Sequence, residues 1–401
     1  MKLHLLFFLA VLVFITAFAG CTGPTKRGKE ARDRAKVHFN AVRSRIDYDQ
    51  AMQSFNRGQM VEAQKHLDIA IRKSPEDASY YVLLGRICLE TSQMENAVLA
   101  FEKSTQLDDE MADPHYYLGI TAERLENPDE AASNYLAAFE RDGEMAQYLT
   151  AAAEVLIAEE RFAEAETILS REASRFRNNS AIHHLRGKVC LMNGHWNRAV
   201  DSLRRAVLLD DEDQWMLEDL ARAQMAAGHH SDCLQTIDQL EKYITVENQS
   251  GVYDPREIIR LRARCLVDAR RFRDAHQVLY TFTDTYPEDV DAWIDFGLVC
   301  REVGDNRRLR KAGQRVATLE RDRFEGYFLL GCSFMGHADG SDAVKFFTKA
   351  AQLAPQRKEA WMALGMAHEL AGNASDAYRA YARVDTDSAR ALMTQVGEDL
   401  N

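Results

Sequence analysis

Residues 327–355 decide the fold, and they read YFLLGCSFMGHADGSDAVKFFTKAAQLAP. Gly331 lies twelve residues before Ala343, and Phe347 follows that alanine by four residues. Two antiparallel helices approach closely only where the side chains at their crossing are small. The spacing therefore predicts a helical hairpin with Gly331 and Ala343 at the crossing, and with Phe347 filling the space beside them.

The same spacing recurs along the chain with a period of thirty-four residues, which is interrupted once, by about eight residues between Cys233 and Ala275. The later small residue is found at Ala63, Ala97, Ala131, Ala165, Ala199, Cys233, Ala275, Ala343 and Ala377. The earlier one is found at Ala51, Gly85, Gly119, Ala153, Gly187, Ala221, Ala263, Gly297, Gly331 and Gly365. A third column falls where a left-handed residue would end the first helix, at Gly58, Gly194, Gly228, Gly304 and Gly372. One repeat departs from the pattern, because Leu309 stands in the small column and Gly313 in the large one, a size swap that roughly retains the packed volume.

This pattern resembles that of the tetratricopeptide repeat (TPR) family, in which Trp, Leu-Gly, Tyr, Ala, Phe, Ala and Pro occupy fixed offsets. The residues that carry the resemblance best are Trp293 with Gly297, Trp361 with Gly365, Ala377 and Tyr381, and Tyr327 with Leu330, Gly331, Ala343, Phe347, Ala350 and Pro355. The resemblance covers residues 44–391 and implies an all-α fold. It implies a right-handed superhelical solenoid of about ten TPR hairpins, in which each repeat contacts mainly its neighbours and the first helices line a concave groove.

The repeat register, together with the resemblance of the N-terminus to a lipoprotein signal that is described below, predicts the organisation of the chain. We expect a signal peptide at 1–20, a lipidated cysteine with a basic linker and a leading helix at 21–43, repeats 1–6 at 44–247, an inserted loop at 248–255, repeats 7–10 at 256–391, and the rest of a capping helix (387–399) and tail at 392–401. The inserted loop, which is rich in Asn, Gly and Pro, is interpreted either as a hinge or as a plain exposed loop.

The first twenty-one residues resemble a bacterial lipoprotein signal. Lys2 precedes a short apolar run that ends in Phe18-Ala19-Gly20-Cys21, where the cysteine of such a signal is lipidated. The alternative is a plain secretory signal with an incidental cysteine. The stretch after Cys21 is basic, and it is interpreted either as a contact to anionic headgroups or as a solvated linker. No Asp follows Cys21, which favours the periplasmic face of the outer membrane over the inner membrane.

Composition excludes several classes of protein. With 46% hydrophobic and 28% charged residues the chain has enough apolar surface to fold. Only 7 prolines in 401 residues, about a third of the usual share of ~5%, disfavour a fold of many short strands. A net charge of -12 argues against binding to nucleic acid, which requires a basic face.

Residues that carry catalysis or bind metals are not found in a recognisable pattern, so we expect no enzyme, no metal and no cofactor. The cysteines other than Cys21 lie in different repeats and are interpreted as buried free thiols that fill space rather than as disulfide partners. His368-Glu369 begins like a zinc-protease motif, but Gly372 stands where the second histidine would be.

The TPR resemblance implies which side chains face the groove. The candidate partner-binding residues are Tyr48, Met52, Phe55, Tyr116, Ile120, Lys188, Arg222, Arg264, Ile294, Leu298, Phe328, Met335, Met362 and Met366. The apolar C-terminal group predicts a site for an amphipathic helix or an extended apolar segment, and the central basic group predicts a site for carboxylates. The alternative is that some of these side chains pack against the next helix.

Together these features predict a non-enzymatic scaffold for protein–protein interaction. We expect a lipid-anchored protein whose groove organises a cell-envelope assembly, in polysaccharide export, in pilus formation or secretion, or in wall synthesis. The alternatives are a regulatory or substrate-recruiting subunit of an envelope enzyme, and a cytoplasmic TPR adaptor if the interpretation of the N-terminus is wrong.

Overall fold

The computed structural model describes residues 26–210, 213–247, 254–335, 340–384 and 386–399. The signal peptide, Cys21 and residues 248–253 of the inserted loop lie outside these ranges. Within them the secondary structure is helical throughout, with no strand. None of the helices in the described ranges combines the length and the apolar character that crossing a membrane requires.

The chain divides into two compact units between Phe176 and Arg177. Unit 1 contains α1 Lys26–Asn56, α2 Met60–Lys73, α3 Ala78–Glu90, α4 Met94–Leu107, α5 Ala112–Arg124, α6 Pro128–Arg141, α7 Ala146–Ala158 and α8 Phe162–Glu172. Unit 2 begins with α9 Ser180–Met192, α10 Trp196–Leu209, α11 Gln214–Ala226, α12 His230–Glu247, α13 Pro255–Asp268, α14 Phe272–Thr285 and α15 Val290–Val303. It continues with α16 Asn306–Leu319, α17 Phe324–Met335, α18 Gly340–Leu353, α19 Lys358–Leu370, α20 Ala374–Tyr381 and α21 Asp387–Asp399. The division falls at a different place from the 248–255 insertion.

Helices that are consecutive in sequence pack on each other as hairpins within each unit, from α1 with α2 in unit 1 to α19 with α20 in unit 2. The predicted all-α repeat fold of about ten hairpins is thereby confirmed. Helix α21 packs on α20 after the last hairpin, with Val396 buried beside Tyr381.

Several first helices start at a side chain that caps the free N–H groups of the first turn. In each case an Asp or Asn oxygen accepts a hydrogen bond from a backbone N–H two or three residues later, which stabilises the helix start. These capping residues are Asp77, Asn179, Asp213, Asp254 and Asp289.

Helix α1 is longer than the sequence register suggests. A basic linker and a leading helix are expected within 21–43, before the first repeat, whereas the structure has one continuous helix of 31 residues that runs from Lys26 into the first repeat. The sequence from Lys29 to Asn56 contains no glycine or proline, so nothing interrupts the helix between the two parts. The first buried residue is Ser44, whose Oγ accepts a hydrogen bond of 3.0 Å from the Tyr80 hydroxyl.

The side chains at the hairpin crossings are matched in size. Where the first helix has glycine, the second usually has an aromatic residue against it, as in Gly85/Phe101, Gly119/Tyr135, Gly331/Phe347 and Gly365/Tyr381. Where the first helix has alanine, the second has a Leu or Ile at the same offset, as in Ala51/Leu67, Ala153/Leu169, Ala221/Ile237 and Ala263/Leu279. A ring in van der Waals contact with the backbone of the first helix leaves no room for a Cβ. The size of the residue at one position of the pair therefore limits the size at the other.

The hairpin of α15 and α16, with its size swap, fills the gap differently. The space at Gly297 is occupied by Leu329 of the next first helix, α17, whose Cδ1 would lie 2.6 Å from an added Cβ. Gly313 of α16 packs directly on the α17 backbone, and its added Cβ would lie 2.9 Å from the Gly326 carbonyl oxygen. The space left by the size swap is therefore filled by α17 of the following hairpin and not by α16 of the same hairpin.

The turn between the two helices of a hairpin contains a left-handed residue wherever the structure describes that turn. The predicted caps at Gly58, Gly194, Gly228, Gly304 and Gly372 have φ of 74° to 77°. In the same register, non-glycine residues take φ of 57° to 59°, namely Ser92, Glu126, Glu160 and Arg270. A left-handed conformation costs such residues about 1–2 kcal/mol. The packing of the helices, and not the residue type, therefore sets the turn.

The size pairing predicts a coupled effect of two substitutions. Gly331→Ala places a Cβ 2.6 Å from the Phe347 ring, and we expect it to destabilise the protein by about 1–3 kcal/mol. Phe347→Leu alone leaves a gap and is also destabilising. The double variant recreates the pairing of Ala153 with Leu169, so its loss should be smaller than the sum by about 0.5–3 kcal/mol in urea denaturation. Additive losses would contradict the pairing.

Candidate protein-binding surface

Helices α15, α17 and α19 are the first helices of three consecutive hairpins in unit 2. They present two columns of side chains that lie one helical turn apart. Helix α17 contacts both α15 and α19, and corresponding residues are thirty-four positions apart. We use the name apolar strip for the side chains in these columns together with the next turn of α19, which are Ile294, Leu298, Phe328, Cys332, Met362, Met366 and Leu370.

Three members of the apolar strip are exposed to solvent. The exposed fraction is 37% for Leu298, 48% for Met366 and 44% for Leu370. Neighbouring apolar side chains left in water on one face are typical of an interaction surface. Methionine adds an unbranched, adaptable side chain that fits partners of different shape.

The other predicted apolar residues of this region are half-buried and take part in packing. The Phe328 ring lies edge-on against Phe347, with 5.6 Å between the ring centroids. Ile294, Met335 and Met362 pack against three separate core clusters of the unit. The alternative that the sequence left open, in which some of these side chains pack against neighbouring helices, therefore holds for part of the predicted set.

The central charged region, on α9, α11 and α13, consists largely of ion pairs within the chain. Arg222 pairs with Glu218, and His184 Nε2 lies 2.8 Å from Asp219 on the next first helix. Among the described residues, Lys188 and Arg264 form no ion pair. The predicted carboxylate-binding group is thus reduced, because Arg222 already binds a carboxylate of its own helix.

Asp295 on α15 is a residue that the sequence analysis did not single out. It occupies a position where most repeats have an apolar side chain, and it forms no hydrogen bond with the described residues. Burial raises the pKa of the Asp295 carboxyl, and the nearby cations Arg264 and Arg260 lower it only in part. Arg260 itself is bound to Asp289 at 2.5 Å and to Glu257 at 3.0 Å.

In unit 1 the predicted aromatic residues are parts of ring clusters. Tyr48 stacks on Tyr80 with 5.0 Å between the ring centroids. Tyr116 lies 5.1 Å from Tyr148 and 5.5 Å from Tyr135. Both predicted residues are half-buried, so they offer a partner the edges of rings rather than free side chains.

The remaining predicted residues of unit 1 are Phe55, which contacts Arg86, and Met52 and Ile120. The Arg86 guanidinium lies 4.6 Å from the centre of the Phe55 ring, close enough for a cation–π interaction. Met52 and Ile120, which occupy the same register column as Arg86, are half-buried against the core. The thirty-four-residue spacing was the signal that could have added Arg86 to the predicted set.

The described part of the chain contains no group of three His, Cys, Asp or Glu side chains placed to hold a metal ion. The cysteines outside residue 21 are free thiols, five of them buried and Cys332 half-buried. Burial raises the pKa of the Cys300 thiol to about 12, which keeps it protonated and a poor nucleophile.

A family model described as "Tetratricopeptide repeat" matches residues 48–112, 116–181 and 328–391. The chain is a tetratricopeptide repeat protein. Proteins with this repeat bind other proteins or peptides, so the columns on the first helices of this TPR protein are candidate binding residues. No match was found among curated proteins.

Several solved structures are similar to this TPR protein. The Naa15/Naa10 complex bound to HypK-THB has 14% identity and a TM-score of 0.46, over 87% of this chain and 64% of that one. PilF of Pseudomonas aeruginosa has 18% identity and a TM-score of 0.39, over 52% and 92%. A TPR protein of Parabacteroides merdae has 14% identity and a TM-score of 0.44, over 64% and 98%. The TPR protein thus spans about 64% of the length of the first of these chains.

Asp295 predicts a pH dependence of stability. Because the pKa of its carboxyl is raised in the folded state, the folded protein retains a proton that the unfolded chain has lost, and stability falls as pH rises through that window. Asp295→Asn removes this effect. We expect it to stabilise the protein at neutral pH by an amount on the order of 1 kcal/mol, and to have little effect below the ordinary carboxyl pKa of about 3.9.

The measurement is urea denaturation across that pH range. Asp322→Asn, at an exposed position between α16 and α17, is the matched control for the loss of one carboxylate. An Asp295→Asn variant that is destabilised at neutral pH would show that the ionised carboxylate is favourable.

Proposed function

We propose that this TPR protein is a non-enzymatic scaffold that binds a partner protein on the apolar strip, and that it is held at a cell-envelope membrane by a lipid on Cys21. The observation that carries the proposal is the exposure of Leu298 on α15 and of Met366 and Leu370 on α19, the first helices on either side of α17. Leaving these side chains in water is unfavourable, and covering them supplies binding free energy.

The partner that fits the strip is an amphipathic helix or an extended apolar segment. Met366 and Leu370 stand one turn apart on α19, and Leu298 stands two repeats before Met366, with Cys332 of α17 at the position between them. An amphipathic helix offers apolar residues at i, i+3, i+4 and i+7 that can fill the spaces between them. The half-buried Phe328 and Met362 would line the floor beneath such a segment.

The lipid anchor is supported by the N-terminal sequence and by α1. Phe18-Ala19-Gly20-Cys21 resembles a lipoprotein signal, although Leu is usual where Phe18 stands. Helix α1 extends beyond the first hairpin as an exposed segment from residue 26, rich in Lys and Arg. Each near-surface cation adds about 1 kcal/mol of attraction to anionic headgroups, which supplements the acyl chains.

This combination favours a role in the envelope. A binding surface on a membrane-anchored protein restricts its partners to components of the same compartment, which include machineries for polysaccharide export, for pilus assembly or secretion, and for wall synthesis. The absence of Asp after Cys21 favours the periplasmic face of the outer membrane.

Loss of the exposed strip residues should abolish partner capture. We expect the double variant Leu298→Asp and Met366→Asp to lose its crosslinked partner in the native envelope, because two charges would be buried in an apolar interface. The positions are exposed, so the substitutions should change folding stability by less than about 0.5 kcal/mol each. The measurement is crosslinking of the tagged full chain followed by mass spectrometry.

The matched control is the double variant Leu99→Asp and Leu208→Asp. Leu99 is 64% exposed and Leu208 is 72% exposed, and both lie on second helices, α4 and α10. This variant should retain the partner. Capture of the same partner by the variant Leu298→Asp with Met366→Asp would contradict the proposed site.

The lipid anchor is tested by metabolic labelling. We expect the protein to incorporate radioactive palmitate and to fractionate with outer membranes, and Cys21→Ala to lose both properties. Cys332→Ala, which removes a half-buried thiol within the repeats, is the control and should remain labelled. Labelling that survives Cys21→Ala, or its absence from the wild-type protein, would contradict the anchor.

A further inference from the structure

A cavity of about 640 Å³ lies in unit 2 between the second helices α14 and α16, with α15 as its floor. Its volume is within the range of small-molecule and peptide sites. The apolar strip uses Ile294 and Leu298 of α15, whereas the cavity uses Trp293 and Phe296 of the same helix. On a helix these pairs point in different directions, so the cavity is a surface separate from the strip.

The wall formed by α16 is strongly basic. Between Asn306 and Leu319 the helix has no acidic residue, although the whole chain has a net charge of -12. The cavity is lined by four cations, Arg307, Arg308, Lys311 and Arg315, against two carboxylates, Asp284 and Asp305. An acidic protein thus carries a local positive site.

Two of the four cations are available for a ligand. Arg308 pairs with Asp305 at 2.8 Å, and Arg315 with Glu288 at 2.9 Å. Arg307 and Lys311 are exposed and form no ion pair with the described residues. The Lys311 ammonium lies 5.6 Å from the centre of the Trp293 ring, which holds this cation at the mouth of the cavity.

The equivalent cavity in unit 1 lacks this charge. It lies between α2 and α4 and has a volume of about 440 Å³, and seven of its ten lining residues stand 212 positions before lining residues of the first cavity. There Asn96 stands in place of Arg308, Leu99 in place of Lys311 and Lys103 in place of Arg315. The basic character therefore belongs to the α14–α16 cavity and not to the repeat architecture.

The packing of α16 explains how the cavity stays open. Gly313 and Gly326 bring α16 and α17 into backbone contact, since a Cβ at Gly326 would lie 2.8 Å from the Ala317 nitrogen. With α16 held on α17, its other edge, which carries Arg308 and Lys311, faces α14 across the cavity. Tyr280 of α14 and Trp293 of α15 also line the cavity, and the Arg308 guanidinium lies 4.9 Å from the centre of the Tyr280 ring.

We propose that the α14–α16 cavity binds an acidic segment of a second partner protein. The carboxylates of that segment pair with Arg307 and Lys311, and an apolar side chain between them lies against the exposed edge of Tyr280. Charge complementarity selects an acidic peptide. The net negative charge of the whole chain disfavours a nucleic acid, whose long phosphate backbone would extend past the local basic site.

The test uses the full chain and a short fluorescent peptide of alternating glutamate and leucine, followed by fluorescence anisotropy. We expect binding that weakens as salt is added and that is absent for the same peptide with glutamine in place of glutamate. The double variant Arg307→Glu and Lys311→Glu should weaken binding at least about tenfold. Lys311→Arg, which keeps the charge, should retain it.

Two matched variants make the result specific. Lys103→Glu, in the equivalent cavity of unit 1, and the strip variant Leu298→Asp with Met366→Asp should both bind the peptide as the wild type does. All variants are compared by circular dichroism and thermal melting, and the substituted cations are exposed, so folding should be retained. Equal binding of the glutamine peptide, unchanged binding by the double variant, or tighter binding of a short RNA would overturn the proposal.

Discussion

The fit of one side chain against the backbone of the facing helix is the constraint on which each hairpin depends. A ring such as Phe347 occupies the space of a missing Cβ at Gly331, and an aliphatic side chain such as Leu169 suffices where the first helix has Ala153. Because interiors are close-packed, neither member of a pair can change alone without a void or an overlap. The crossing sets the distance between the two helices, and that distance sets which side chains remain on the outer faces.

Spacing alone was sufficient to predict the hairpins, since this packing repeats with a fixed offset that a single sequence displays. The left-handed turns were predictable only where glycine marks them, and Arg270 adopts the same conformation without any signal in its residue type. The filling of Gly297 by Leu329 was not predictable, because the two residues belong to different hairpins and their contact has no counterpart in other repeats. The repeat register also does not predict the length of α1. That length depends on the absence of glycine and proline between Lys29 and Asn56, which the repeat spacing does not contain.

For the predicted binding residues too, the sequence predicts one property, the face of the helix, but not burial depth or ion pairing. Register assigns a residue to a face of a helix, and Leu298 and Met366, which it assigns to the groove, are exposed. It does not give the depth of a side chain, which depends on neighbours from other helices, so Phe328 is partly used against Phe347. Ion pairs are also set by three-dimensional neighbours, as when Arg260 binds Asp289 from the following helix start. The basic cavity was not predicted from the sequence, because its lining residues come from three helices and no single stretch of sequence contains them all.

Helix α15 connects the two candidate surfaces of unit 2, since Leu298 lies in the apolar strip and Trp293 in the basic cavity. The two sites select different chemistry. The strip gains from removal of apolar surface and should depend little on salt, whereas the cavity acts through charges whose range is about 8 Å at physiological ionic strength. That range confines the attraction to the vicinity of the cavity and limits repulsion from distant acidic residues. Because the sites share a helix but no side chain, both can be occupied at once, and a repeat protein that holds two unlike segments in this way can bring two partners together.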